Sequence, residues 1–151
     1  MIFRKATAEE APILGELRKK QLIDEGHDPT AGNMDEQLLE FFTRRINDGS
    51  MIEWVADDEG TIVGTGAIIF YDLHHAFNNV SGIKGYVANV YTDPAYRKQG
   101  IATTILEKLK DEARARGVTM LWLGASDQGR PIYKKVGFQD TNTWMELNHL
   151  K

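Results

Sequence analysis

There is no cysteine in the 151-residue chain, which excludes disulfides, thiolate nucleophiles and cysteine-ligated zinc or iron–sulfur centres. No apolar run approaches the roughly 20 residues that span a bilayer. Met1-Ile2-Phe3-Arg4-Lys5 also lacks the apolar core of a secretory signal, so no membrane partner and a cytoplasmic location are expected. Positive charge is in short supply: 18 Lys and Arg stand against 22 Asp and Glu, a net charge of −4. That argues against bulk nucleic-acid binding and leaves room for a cationic substrate. Internal repeats, low-complexity tracts and linkers are absent, so residues 1–151 read as a single domain, long enough to bury a core. The Gly-Lys-Ser/Thr loop of nucleoside triphosphatases and the glycine triplet of dinucleotide-binding folds are missing too.

What is present alternates between strand and helix. Ile2 to Ala6 reads as a strand, and Thr7-Ala8-Glu9-Glu10 has capping-box spacing ahead of a helix through Leu14, Leu17, Gln21 and Leu22 toward Glu25. Gly26 to Gly32 is a loop. Asn33-Met34-Asp35-Glu36 opens a second helix whose buried stripe is Leu38, Leu39, Phe42 and Ile46, stopped at Gly49. Ile52 to Ala56 and Ile62 to Tyr71 form a hairpin, and Asp72 to Ile83 a longer loop. A strand over Gly85 to Thr92 leads to a helix with Ile101, Ile105, Leu109 and Ala113 on one face, ending at Gly117. Val118 to Gly124 is a further strand, Gly129 to Val136 a short helix, and Phe138 to Leu150 returns as one or two strands. The order β-α-α-β-β-β-α-β-α-β implies an α/β fold of the α+β type, with a mixed, mostly antiparallel central sheet flanked by helices.

The chemistry concentrates at Arg97-Lys98-Gln99-Gly100-Ile101-Ala102, a basic turn between a strand and a helix. The first N–H groups of a helix have no partner within it, and the helix dipole favours negative charge there. Gly100 lets a phosphate approach the main chain closely. A second cluster, Tyr133-Lys134-Lys135-Val136-Gly137-Phe138, follows the next strand on a short helix.

Together these segments resemble the GCN5-related N-acetyltransferase superfamily. Its signature is Arg or Gln, two residues, Gly, any residue, then Gly or Ala. Arg97, Gly100 and Ala102 match it, flanked by Tyr91-Thr92-Asp93-Pro94-Ala95-Tyr96 and by Tyr133…Gly137-Phe138. The resemblance implies acetyl-coenzyme A as cosubstrate, with no metal. It also implies that the diphosphate accepts N–H bonds from Lys98, Gln99, Gly100, Ile101, Ala102 and Thr103, a charge-assisted set. By the same resemblance the pantetheine arm pairs with the strand edge at Val90, Tyr91 and Thr92, and the next strand diverges to admit the thioester. Arg97, Lys98, Arg130 and Lys134 are unranked candidates for the ribose phosphate. Tyr133 is the expected general acid toward the departing thiolate, since a phenol titrates near ~10 against ~8.5 for a thiol. A backbone N–H at Val90 or Tyr91 meets the oxyanion.

One departure stands out. Relatives often carry a glutamate on the strand before the glycine turn, whereas Tyr86 to Thr92 holds no acid. Ala88 and Asn89 occupy its place, and Asn89 orders a water at best. Glu53, Asp72, His74, His75, Asp24, Glu25 and His27 are the other candidate bases, each read first as a loop or surface residue. The expected acceptor is a primary amine of a small molecule or peptide, met by the first two helices and the loops at Gly26–Gly32 and Asp72–Ile83. Asp24, Glu25, Asp28 and Asp35 make the first region acidic, which would suit a primary amine, although these charges are read first as a solvated helix end. A homodimer is a further expectation, because family members often pair through their last strands. Three alternatives stay open: another acyl donor, a hydroxyl acceptor, and a cofactor-binding sensor without turnover.

Overall fold

The computed structural model describes residues 1–151. Its strands are β1 (Ile2–Lys5), β2 (Met51–Asp58), β3 (Thr61–Asp72), β4 (Ile83–Thr92) and β5 (Leu121–Trp122). They form one sheet in that order, antiparallel except for the β4–β5 pair. The helices are α1 (Ala11–Asp24), α2 (Asp35–Asp48), α3 (Ile101–Ala115) and α4 (Arg130–Lys135). None is long and apolar enough to cross a membrane. The mixed, mostly antiparallel sheet with flanking helices is the architecture expected from element order.

Two apolar layers sandwich the sheet. On one side α1 and α2 bury Leu14, Leu17 and Phe42 against Met51, Val55 and Ala67. On the other, α3 lays Ile101, Ile105, Leu106 and Leu109 over Ala56, Val63, Ile68 and Val87. Strand alternation divides the residues: Met51, Glu53 and Val55 of β2 point one way, and Ile52, Trp54 and Ala56 the other.

Local signals explain where elements begin and end. The Glu10 carboxylate accepts the Thr7 N–H at 2.9 Å ahead of α1, after which a 3-10 turn at Ala8–Glu10 delays the helix to Ala11. The Asn33 side chain accepts the Asp35 N–H at 3.1 Å and starts α2, and Gly49 closes it with φ of 74°. The predicted stripe on α2 is only partly buried: Phe42 is core, while Leu39 remains 48% exposed.

α3 rests unusually close to β3. A Cβ at Gly64 would meet Ile101 Cγ2 at 2.6 Å, and one at Gly66 would meet Ile105 Cγ2 at the same distance. These contacts seat the first two turns of α3, and so fix the turn that precedes it. Gly66→Ala is expected to destabilise the fold by about 1–3 kcal/mol, because Ile105 is fully buried and must shift. The midpoint of urea unfolding measures this.

Two expectations fail toward the C-terminus. The strand expected over Val118 to Gly124 shrinks to Leu121–Trp122, since its pairing with β4 stops at Tyr86. Phe138 to Leu150 forms no strand at all. Asp140 is held by Arg130 and, at 2.9 Å, by Lys134. Thr141 then accepts the Thr143 N–H in a local turn, and the segment stays outside the sheet. Trp144 packs edge-on against Trp122 instead, centroids 5.6 Å apart.

Candidate active site

β4 is irregular where it matters. Thr65 pairs with Tyr91 but Ala67 with Ala88, so Gly66 spans both Asn89 and Val90 in a bulge. Asn89 adopts φ of 57°, a left-handed conformation that asparagine tolerates better than most residues. The Thr65 hydroxyl pins the bulge by donating to the Asn89 carbonyl at 2.8 Å. Beyond it, β4 runs on without a neighbour on its outer side, because β5 pairs only at Gly85–Leu121 and Tyr86–Trp122. The two strands part like a fork.

The turn after β4 begins with a 3-10 turn at Pro94–Tyr96, capped by Asp93, whose side chain accepts the Ala95 N–H at 2.9 Å. Lys98 at φ 63° and Gly100 at φ 80° then reverse the chain into α3. The N–H groups from Lys98 through Thr103 donate to no acceptor in the chain; the first bond of the helix is Thr104 N–H to the Gly100 carbonyl at 3.0 Å. Such a row of free donors at a helix N-terminus is an anion cradle. Nothing lies within 4 Å of where a Gly100 Cβ would sit, so the approach is open.

A cleft of about 530 Å³ joins these parts. Its walls include Val90, Tyr91 and Thr92 of β4, then Arg97, Lys98, Gly100, Ile101, Ala102 and Thr103, and Tyr133 from α4. Gln99 alone of the expected turn residues does not line it, and Asn89 sits behind it rather than on its wall. Gln21, Asp24 and Glu25 close the cleft from the end of α1. In the sequence these acids read first as a solvated helix end; the packing of α1 against β4 brings them to the cleft.

The candidate cations separate clearly. Arg97 is committed within the chain, donating to the Thr92 carbonyl at 3.0 Å and to Asp24 at 2.7 Å. Arg130 and Lys134 pair with Asp140 and line a different, 850 Å³ cleft beside β5 and the C-terminal segment. Lys98 faces the first cleft and belongs to no ion pair. Lys135, not anticipated, also lines it.

Tyr133 lies at the junction of both clefts and is only 9% exposed. A Cβ at Gly129 would come within 2.7 Å of its ring, so the small residue one turn earlier allows the ring to lie back over α4. Phe138 packs against the other side, centroids 6.2 Å apart. Burial pushes its phenol up to about 12, helped by the negative charge of Glu25. It therefore holds its proton throughout the physiological range.

The remaining candidates divide sharply. His75 is tied within its own loop, its Nδ1 hydrogen-bonded to the Val80 carbonyl at 2.6 Å. His74, His27 and Asp72 are exposed. Glu53, expected at the surface, is instead 2% exposed on β2 beneath α1. Its position between inward-facing Met51 and Val55 was the sequence signal for this.

The sequence profile of the acetyltransferase (GNAT) family matches residues 17–138. The chain belongs to this family. The crystal structure of a predicted acetyltransferase with acetyl-CoA from Clostridium acetobutylicum superimposes with a TM-score of 0.94 at 42% identity, covering 97% of this chain and 95% of that one. Among curated relatives, glucosamine 6-phosphate N-acetyltransferase of Trypanosoma brucei brucei is 27% identical over 59% of this chain and 58% of its own length. The [ribosomal protein bS18]-alanine N-acetyltransferase of Escherichia coli (strain K12) is 36% identical over 34% of this chain and 37% of its own length. The chain thus aligns with little more than half of the first curated relative and little more than a third of the second.

Proposed function

We propose that this protein transfers the acetyl group of acetyl-coenzyme A to a primary amine. The observation that carries the reading is the unbroken row of free N–H donors from Lys98 through Thr103, opening into the same cleft as the parted β4 edge and Tyr133. The diphosphate of the cosubstrate fits that cradle, with Lys98 adding charge. The pantetheine arm, itself amide-bearing, takes the place along Val90, Tyr91 and Thr92 that a neighbouring strand would hold. The bulge at Asn89 re-aims the backbone at Val90 and Tyr91, where an N–H meets the oxyanion as the carbonyl is attacked.

Tyr133 supplies the proton to sulfur. A phenol near 12 is a weaker acid than a thiol near ~8.5 in water, but a thiolate leaving into the same dry pocket is raised by the same burial. The two affinities converge as the carbon–sulfur bond breaks. Glu25, close enough to act on Tyr133 electrostatically, draws a cationic amine toward the mouth. The glucosamine 6-phosphate and the ribosomal-protein alanine named for the two curated relatives are both acetylated on nitrogen, which supports an amine acceptor.

Calorimetry with acetyl-coenzyme A and the free thiol form, followed by thiol-release assays across glucosamine 6-phosphate, an alanine-initiated peptide and alkyl amines, tests the proposal. Micromolar binding and thiol release with at least one amine are expected. No affinity for either cofactor form overturns it. Binding without thiol release for any amine points to a sensor instead.

A further inference from the structure

Glu53 is the ionisable side chain that the scheme above leaves unused, and it is among the most deeply buried groups in the protein. Its Oε2 has no hydrogen-bond partner. A carboxyl so placed contributes nothing to stability that glutamine or an apolar residue would not supply better. Small neighbours flank it on the sheet: its carbonyl accepts the Ala6 N–H at 2.8 Å, and Ala67 is its register partner on β3. The amide of Asn89 on β4 and the charge of Arg18 on α1 both favour its ionised form. No charge on α2 acts on it, and neither Ala6, Ala67 nor Asn89 titrates.

The polar groups around it fall into two hydrogen-bonded sets. Gln21, Glu53, Thr65 and Asn89 are four of the buried polar residues, and all lie between the sheet and α1. Thr65 holds Asn89; Arg18 donates to Gln21 at 3.1 Å, and Gln21 to Glu25 at 3.2 Å. The second set ends at Glu25 in the wall of the cleft, and the two sets are not bonded to one another. Asn89 directly precedes Val90 on the cleft wall, so the shortest path along β4 from the cleft toward Glu53 passes Asn89.

We propose that Glu53, reached from β2, takes the proton that the acceptor ammonium must lose, in place of the acid that β4 lacks. The proposal rests on the acetyl-transfer reading. R–NH3+ gives one proton, through solvent ordered at Asn89, to the Glu53 carboxylate, leaving R–NH2 and a neutral carboxyl. The amine nitrogen bonds to the acetyl carbon, and the carbon–sulfur bond breaks with its electron pair going to sulfur. Sulfur takes the Tyr133 proton. The surplus proton on nitrogen restores the phenol, and Glu53 returns its own proton to solvent. Burial pushes this carboxyl up to about 8, opposed by Asn89 and then Arg18, which suits a base working near neutrality.

Glu53→Gln keeps shape and removes the titration. With benzylamine, an ammonium ion at pH 7, its kcat/KM is expected to fall about 100-fold, at the low end of general-base effects. With hydroxylamine, already neutral at that pH, the loss should stay under about threefold, while acetyl-coenzyme A affinity is unchanged. Equal losses with both amines overturn the proposal. A second arm needs no turnover. Because the folded carboxyl titrates above its unfolded value, native protein binds the extra proton, and wild-type stability falls as pH rises from about 4.5 to about 8. Thermal melts across that window should show the decline in wild type and not in Glu53→Gln; matching curves overturn the proposal. If cofactor binds but neither amine is turned over by wild type while the melts differ as expected, the acetyl-transfer reading fails and this role fails with it, although the buried carboxyl is real.

Discussion

Tyr133→Phe is expected to lower kcat by about 10²–10³ while acetyl-coenzyme A affinity stays within about threefold of wild type. That range corresponds to roughly 3–4 kcal/mol of barrier. The substitution removes one oxygen and keeps the ring that packs on Gly129 and Phe138, so folding is not the variable. Removing a proton donor that acts only as the bond breaks lowers turnover without touching ground-state binding. The pH profile adds a second check. With the phenol near 12, wild type should show no alkaline fall from Tyr133 below about pH 10. Unchanged kcat in the variant, measured by thiol release, would assign Tyr133 to packing alone.

The elements that position this chemistry were readable in the chain because each has a local cause. The four-residue recurrence of Ile101, Ile105, Leu109 and Ala113 dictates α3, and Gly100 marks where its free N–H groups begin. Asn33 and Gly49 bracket α2 by capping alone. Features that depend on distant partners were not readable. β5 is short because of where β4 stops pairing, and Asp140 at the head of the C-terminal segment pairs with Arg130 and Lys134, ten and six residues earlier in the chain. Neither leaves a periodic trace. Glu53 is intermediate. Its alternation with Met51 and Val55 indicated an inward side chain, yet its charge argued for the surface, and only the arrival of α1 and the β4 bulge above it decides the contest. Asn89 likewise carried a hint, since asparagine is one of the few residues that accept a left-handed backbone at a bulge.

Gly100→Val should weaken acetyl-coenzyme A binding by about 10²–10³-fold. Two effects combine. A β-branched residue at φ 80° is strained by roughly 1–3 kcal/mol, and relaxing that strain turns the neighbouring N–H groups out of the cradle. Its side chain also occupies the open space through which the diphosphate would reach those donors, each charge-assisted bond being worth about 1.5–3 kcal/mol. Gly117 provides the control. It too has positive φ, 69°, with nothing within 4 Å of where a Cβ would sit, but it lies at the far end of α3 from the turn. Gly117→Val should therefore lose comparable thermal stability and keep its cofactor affinity. If both variants bind acetyl-coenzyme A as wild type does, the free N–H row is a helix end open to water and the diphosphate lies elsewhere. If both lose affinity equally, the effect is global destabilisation, and only a loss confined to position 100 ties the cradle to the cosubstrate.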